Sequence, residues 1–191
     1  KNNNEYAESE KVMPADNIKS LPKNIRLNQE LIQEAIRLGC AKAKVILTKT
    51  ISIAHWVKLQ CQYGCSHYGS VLTCPPFTPD AGEMSEVLVE YEKALLINAG
   101  PEKNIREIVV QLEKLLKEKG FNKALALSAQ PCDLCDPCTI ATNCQFPKKA
   151  RPTLRACGID VNETIHNNGW SDLGQQAPCT PAHAIGMVLI C

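Results

Sequence analysis

The sequence predicts an α/β fold in which a sheet of about four or five strands is covered by helices. Two observations support this class. Segments whose apolar residues recur at helical spacing alternate along the chain with short apolar runs rich in β-branched residues. Glycine, proline and capping residues separate these segments. Because 191 residues are enough for one well-buried core, we expect residues 25–191 to form a single domain.

The beginning of the chain predicts a leader, a helix and two strands. Residues 1–24 are polar and charged, with too few apolar side chains to bury, so we expect an extended or mobile leader. A helix should begin at Asn28, its cap, and end at Gly39, because the apolar residues between them form one stripe. The apolar run Lys44–Leu47 then predicts a strand. In residues 51–61 apolar and polar side chains alternate, which favours a second strand.

Helices and strands are predicted to alternate through the rest of the chain. Asp80 with Glu83, and Asp160 with Glu163, have the spacing of a capping box, in which the two side chains satisfy backbone N–H groups at a helix start. A longer amphipathic helix lies between two glycines. In order, the predicted elements are a helix from Asp80, the strand Ala94–Ala99, a helix between Gly100 and Gly120, the strand Ala124–Leu127, a short helix from Asp160 and the strand Ile185–Ile190.

Charge and hydropathy exclude several classes of partner. The 21 Lys and Arg residues nearly cancel the 20 Asp and Glu residues, so no overall field favours nucleic acid or an anionic membrane surface. The longest apolar runs are far shorter than the ~20 residues of a membrane-spanning helix, and we expect no membrane span. We expect a cytoplasmic protein, while the start at Lys1 rather than Met leaves open a removed N-terminal signal.

Cysteine is the most informative residue type in this chain. Eleven cysteines indicate either a disulfide framework or metal ligation. Seven of them fall in two tight groups, whereas the half-cystines of a disulfide framework are usually spread over a small, loop-rich chain. We therefore interpret residues 61–80 and 131–157 as metal-binding loops, placed at strand ends. The seven are Cys61, Cys65 and Cys74 in the first loop, and Cys132, Cys135, Cys138 and Cys144 in the second.

The second group has the spacing C-x2-C-x2-C-x5-C, close to the C-x2-C-x2-C-x3-C run of bacterial iron–sulfur ferredoxins. Structural zinc is usually bound by two C-x2-C pairs that are well separated in the sequence. Here the third cysteine, Cys138, follows the second after only two intervening residues. Thiolates at such short intervals surround a cluster better than a single ion, so we favour iron–sulfur over zinc. The spacing leaves the fourth ligand open, since it is either Cys144 or a cysteine from elsewhere.

The first group, with the spacing C-x3-C-x8-C-P-P, supplies only three thiols, so its fourth ligand has to come from elsewhere. Cys157 would bring the total to eight cysteines, enough for two [4Fe-4S] clusters. His67, inside the loop, is a second candidate. A third alternative is an iron with an open coordination site, which would make the protein a Lewis-acid or reductive enzyme.

The remaining cysteines and histidines show no ligand spacing. The basic run from Lys148 to Arg155 is expected to form a solvated face, with an acidic partner or an anionic substrate as the alternative. We interpret as structural or ordinary polar residues Cys40, Cys179, Cys191, His55, His166 and His183.

Three ordered motifs extend through most of the chain. They are Cys61-x3-Cys65-x2-Tyr68-Gly69-x4-Cys74-Pro75-Pro76, then Pro131-Cys132-x2-Cys135-x2-Cys138-x5-Cys144, and Ala150-Arg151-Pro152 leading to Ala156-Cys157-Gly158-Ile159-Asp160-Val161. In these motifs the chain resembles a prokaryotic family of unknown function that is labelled predicted metal-binding protein. The resemblance implies metal binding in the cytoplasm of largely anaerobic organisms, with no established reaction. It also implies that Cys157 is part of a motif.

The sequence therefore predicts an iron–sulfur protein with one or two [4Fe-4S] clusters, acting in electron transfer or as a redox component of anaerobic metabolism, with a redox partner protein. One alternative is an enzyme with an open-site cluster held by three cysteines, which would act on a small-molecule substrate. Another is a structural zinc-binding interaction protein. Whether the chain is an enzyme stays open. The candidate ligands are Cys61, Cys65, Cys74, Cys132, Cys135, Cys138, Cys144 and Cys157.

Overall fold

The computed structural model describes residues 15–100, 102–176 and 184–191, and these residues form six α-helices and one four-stranded sheet. The helices are α1 (Ala15–Ile18), α2 (Lys23–Arg37), α3 (Trp56–Gly64), α4 (Ala81–Val89), α5 (Ile105–Glu118) and α6 (Val161–Asn167). The strands are β1 (Cys40–Leu47), β2 (Lys93–Ala99), β3 (Leu125–Leu127) and β4 (Ala184–Ile190). Short 3₁₀-helical turns span Thr48–Thr50, Arg155–Cys157 and Ser171–Leu173.

The sheet has the strand order β1-β2-β4-β3, and every neighbouring pair is antiparallel. Strand β4 is the last element in the sequence, yet it lies inside the sheet between β2 and β3. All its residues are buried, which accounts for its uninterrupted apolar run. The predicted α/β class, with helices covering a sheet of four strands, is confirmed.

The sheet separates two hydrophobic clusters, because alternate residues of a strand point to opposite faces. On one face, Val45 and Leu95 pack with apolar residues of α2 and α5. On the other face, Ile46 and Leu96 pack with α4, α6 and the segment 154–159. Helices α2 and α5 therefore cover one face of the sheet, and helices α4 and α6 cover the other.

Helix α5 lies close to β4 because Gly186 has no side chain. A Cβ atom at Gly186 would lie 2.8 Å from Cγ1 of Val109 and 3.0 Å from Cγ1 of Ile105, both on α5. Asn104 begins this helix by accepting a hydrogen bond from the N–H of Glu107 at 3.2 Å. This close approach lets α5 pack against strands β4 and β3 of the sheet.

The strand predicted over residues 51–61 is wrong, because most of that segment belongs to helix α3. Its buried residues, Val57 and Cys61, are four positions apart, which is helical spacing. The apparent alternation is misleading because Leu59 is 53% exposed and contributes nothing to the core. Helix α2 also differs from expectation, since it begins at Lys23 and Asn28 lies inside it.

Two predicted helix starts agree with the structure. The side chain of Asp80 accepts hydrogen bonds from the N–H groups of Gly82 and Glu83, and Glu83 accepts one from the N–H of Asp80, so the capping box is present. Asp160 also accepts a hydrogen bond from the N–H of Glu163 at the start of α6, but its own N–H donates to the carbonyl of Ser52, so this capping box is only half formed. Both helices begin where the sequence places them.

The expected leader is described only in its last part. Residues 1–14 lie outside the described residues, while Ala15–Ile18 form one helical turn in which Ile18 is buried. Among the helices of the described residues, none combines the length and apolar character needed to cross a lipid bilayer.

Candidate metal centre

Two cysteine-rich loops form the candidate site. The three-thiol loop, residues 61–80, begins in the last turn of helix α3, because the segment before it is helical rather than a strand. The four-thiol loop, residues 129–152, follows β3 with only Ser128 between them, as the sequence predicted for a loop at a strand end. Ten cysteines lie in the part of the chain that the structure describes, and none of them forms a disulfide bond there.

The four-thiol loop leaves the sheet and returns to the same point. Ser128 forms a parallel bridge with Thr153. The N–H of Ser128 donates to the carbonyl of Pro152 at 2.8 Å, and the N–H of Leu154 donates to the carbonyl of Ser128 at 2.9 Å. The two ends of the loop are therefore held side by side.

The four cysteines of this loop follow one another closely in the sequence. All four are partly exposed. The pKa of Cys135 is raised above its usual range, first by burial and then by the negative charges of Cys138, Cys132 and Cys144. The sequence left the fourth ligand of this group open, and Cys144 as that ligand stays a prediction.

The three-thiol loop brings Cys61, Cys65 and His67 together at the end of α3. Cys61 is buried on the inner side of this helix, and Cys65 follows its last residue. Burial raises the pKa of Cys61 and the charge of Cys65 raises it further, while the guanidinium of Arg155 acts in the opposite direction. The sulfur of Cys65 lies 3.7 Å from Nδ1 of His67. Cys74, later in the loop, is buried.

Hydrogen bonds join the three-thiol loop to its surroundings. The N–H of Cys132 donates to the hydroxyl of Thr73 at 3.2 Å, and Thr73 directly precedes Cys74. Thr78, in the same loop, donates its hydroxyl to the carbonyl of Ala156 at 2.7 Å. The hydrogen bond between Cys132 and Thr73 therefore links the two loops directly. Sequence reasoning missed Thr73, whose only signal is its position beside a cysteine.

Cys157 lies in the apolar core rather than at the surface of either loop. It is 1% exposed and belongs to the same cluster as Leu154 and Ile159. Within the described part of the chain, burial alone raises the pKa of its thiol to about 12. The motif around it has structural roles, because Gly158 lies against Ala81 in a left-handed conformation. Cys157 as a ligand stays a prediction.

The basic run is not a solvated face throughout. The lysines at 148 and 149 are exposed, but the two arginines of the run have partners inside the protein. Arg151 donates from Nε and Nη2 to the carboxylate of Glu113 at 2.7 and 2.8 Å. Arg155 is buried and donates to the carbonyl of Gln176 at 2.6 Å. The expectation was wrong for the arginines because acceptors far away in the sequence fold against them.

The other cysteines and histidines have ordinary surroundings. Cys40 is buried at the start of β1, where burial raises the pKa of its thiol to about 12, as suits a structural cysteine. Cys179 and His183 lie outside the described residues. The exposed members of this group are His55, His166 and Cys191.

In the described ranges, no three or more His, Cys, Asp or Glu side chains are grouped so that they could hold a metal ion. Zinc with bonds of about 2.3 Å to sulfur would require sulfur atoms about 4 Å apart. A cubane cluster is larger, because iron and sulfide lie between its cysteines. The four thiols of one loop match the donor set of such a cluster in number and chemistry.

Comparison with known proteins identifies a family. No curated protein and no solved structure matches the chain. The model of the family described as predicted metal-binding protein (DUF2284) matches residues 44–190, a range that includes both thiol loops. The resemblance inferred from the motifs is thereby confirmed. The chain belongs to this family of predicted metal-binding proteins.

Proposed function

We propose that this chain is an iron–sulfur protein whose four-thiol loop holds a [4Fe-4S] cluster. The observation that carries the proposal is that four partly exposed cysteines lie in one loop, whose two ends are held side by side by backbone hydrogen bonds. One short loop thus offers as many cysteines as a [4Fe-4S] cluster requires. The ligands are Cys132, Cys135, Cys138 and Cys144.

A bound cluster would supply one-electron transfer at this loop. Its thiols are partly exposed, and Ile140 and Phe146 of the same loop expose 42% and 38% of their surface. Exposed apolar side chains next to a redox centre suit transient contact with a redox partner protein. We therefore infer electron transfer, or a redox role in anaerobic metabolism. Free thiols are typical of a reducing compartment, which favours the cytoplasm.

A second cluster at the three-thiol loop is part of the proposal. Cys61, Cys65 and Cys74 supply three thiols, and His67 offers a fourth donor beside Cys65. Cys157 fits this position less well, because its thiol lies in the apolar core.

One observation favours a second candidate function, an enzyme with an open-site cluster. The three-thiol loop supplies only three cysteines, and Cys157, the candidate for a fourth, lies in the apolar core. An iron held by three thiolates keeps one coordination position for substrate. This alternative places catalysis at the three-thiol loop and leaves the four-thiol loop as the electron donor.

Anaerobic reconstitution with iron and sulfide tests the main proposal. We expect the wild-type protein to bind iron and acid-labile sulfide and to give the paramagnetic resonance spectrum of a reduced cluster. Cys138→Ser should remove the cluster of the four-thiol loop. Cys191→Ser is the matched control, since Cys191 is exposed and outside both loops. Cys157→Ala should leave the iron content unchanged.

Two outcomes separate the alternatives. A colourless protein with stoichiometric zinc and no acid-labile sulfide would contradict the proposal and favour the structural zinc-binding interaction protein, which unfolds without its metal. If the iron that remains in Cys138→Ser changes its spectrum when a small carboxylate such as acetate is added, the open-site enzyme is favoured.

A further inference from the structure

Helix α5 contacts the four-thiol loop near both of its ends. Arg106 forms an ion pair with Asp133, the residue after the first thiol. Glu113 forms an ion pair with Arg151, close to the end of the loop. The two helix residues are seven positions apart, which places them two turns apart on one face of α5. In the sequence, three of the four cysteines therefore lie between Asp133 and Arg151, the two residues that pair with α5. The fourth, Cys132, directly precedes Asp133.

The carboxylate of Glu113 connects helix α5 with strand β3 and with the end of the four-thiol loop. Its side chain is only 3% exposed. It accepts two parallel hydrogen bonds from Arg151, one from the Nζ of Lys117 at 2.5 Å, and one from the N–H of Ala126 in β3 at 2.7 Å. Such charge-assisted hydrogen bonds are stronger than neutral ones. The junction ties the returning end of the loop to α5 and to the strand from which the loop departs.

Apolar packing contributes little to holding the four-thiol loop, because only its first residue, Ala129, packs against the hydrophobic cluster on the sheet. None of residues 129–152 is buried, although each of them is described by the structure. The helix that contacts the loop is fixed, by contrast, because Ile105, Val109 and Leu112 are buried in the hydrophobic cluster on the sheet. The conformation of the loop thus depends on backbone hydrogen bonds, on the hydrogen bond between Cys132 and Thr73, and on the two ion pairs with α5.

We propose that Arg106 and Glu113 are positioning residues, which hold the four-thiol loop in the conformation that takes up metal. Without these ion pairs the thiols would sample many arrangements, and metal binding would have to supply the ordering free energy. The inference rests on the proposed function, because it assigns these residues to the metal site of the four-thiol loop.

Hydrogen exchange of the metal-free protein is the first test. Arg151→Gln removes the ion pair, and Arg151→Lys keeps the charge but loses the two parallel hydrogen bonds. Loss of a hydrogen bond to a charged group corresponds to a change of about tenfold or more in a local opening equilibrium. In Arg151→Gln we therefore expect faster exchange of the N–H groups of Lys149 and Ala150, with a smaller change in Arg151→Lys. The N–H of Gly69, bonded to Pro75 at 2.8 Å in the three-thiol loop, should not change.

Two further variants complete the design. Asp133→Asn weakens the pair at the other end of the loop, and the protein should still fold, because this side chain is 78% exposed. It should speed exchange of the N–H of Cys132. Glu90→Gln is the matched control, because the Lys123–Glu90 pair is 63% exposed on both sides and outside the loop. It should change none of these rates.

Uptake of iron and sulfide is the second test. Arg151→Gln and Asp133→Asn should load several-fold more slowly than the wild type, while Glu90→Gln loads at the wild-type rate. Unchanged exchange in the loop, equal acceleration of both thiol loops, or unchanged loading would each overturn the positioning role. If the wild type takes up no iron or sulfide, the proposed function fails, and the exchange rates still decide whether α5 holds the loop.

Discussion

Replacing Gly158 with alanine tests whether the motif around Cys157 is maintained by packing. Gly158 has a φ of +75°, and a Cβ atom there would lie 2.8 Å from both Cα and Cβ of Ala81. Ala81 is the first residue of α4, whose start is held by the capping box of Asp80. The atom in the way therefore belongs to fixed backbone, so it does not move aside as a flexible side chain does.

Two effects add in this variant. The left-handed conformation costs alanine roughly 1–2 kcal/mol relative to glycine. Forcing an extra methyl group into a packed site costs about 1–3 kcal/mol. We therefore expect the free energy of unfolding to fall by about 2–5 kcal/mol, a large part of the 5–15 kcal/mol typical of a folded domain.

Urea unfolding of the metal-free protein, followed by circular dichroism, measures this loss. Gly120→Ala is the control, because Gly120 also has a positive φ, of +97°, but no atom lies within 4 Å of the position that a methyl group would take there. Gly120→Ala should lower the free energy of unfolding only by the cost of placing alanine in the left-handed conformation. A loss in Gly158→Ala no larger than in Gly120→Ala would refute the reasoning. Folded Gly158→Ala should still take up iron at the four-thiol loop.

Two other predictions concern the link between the loops and the buried carboxylate. Thr73→Val should lower the free energy of unfolding by about 1 kcal/mol, because the N–H of Cys132 loses its acceptor, whereas Thr73→Ser keeps it; equal losses in urea unfolding would contradict this. Burial alone would raise the pKa of Glu113, but hydrogen bonds from Arg151, Lys117 and Ala126 outweigh it and lower the pKa below 4.5. The stability from this shift is complete above pH 4.5 and is lost as the pH falls through the lowered pKa. The difference in unfolding free energy between wild type and Glu113→Gln should therefore shrink below pH 4.5, and a constant difference would contradict it.

The sequence predicted those elements that have a well-defined buried face. Helix α5 and strands β2 and β4 were recognised because burial of one face, or of both, imposes a clear apolar pattern. Helix α3 was missed because Trp56, Leu59 and Tyr63 are 45%, 53% and 81% exposed, so its apolar residues do not mark the side that faces the core. A short segment of this kind has no pattern from which its structure can be inferred.

Cysteine spacing by itself determined that Cys132, Cys135 and Cys138 could share one centre, because residues a few positions apart in a loop cannot lie far from one another. Only the tertiary structure decided that Cys157 lies in the apolar core. It also decided that Glu113 and Thr73 contact the four-thiol loop from distant parts of the chain. The physical reason is that such contacts depend on how helices and loops pack against the sheet, and local sequence patterns do not carry that information.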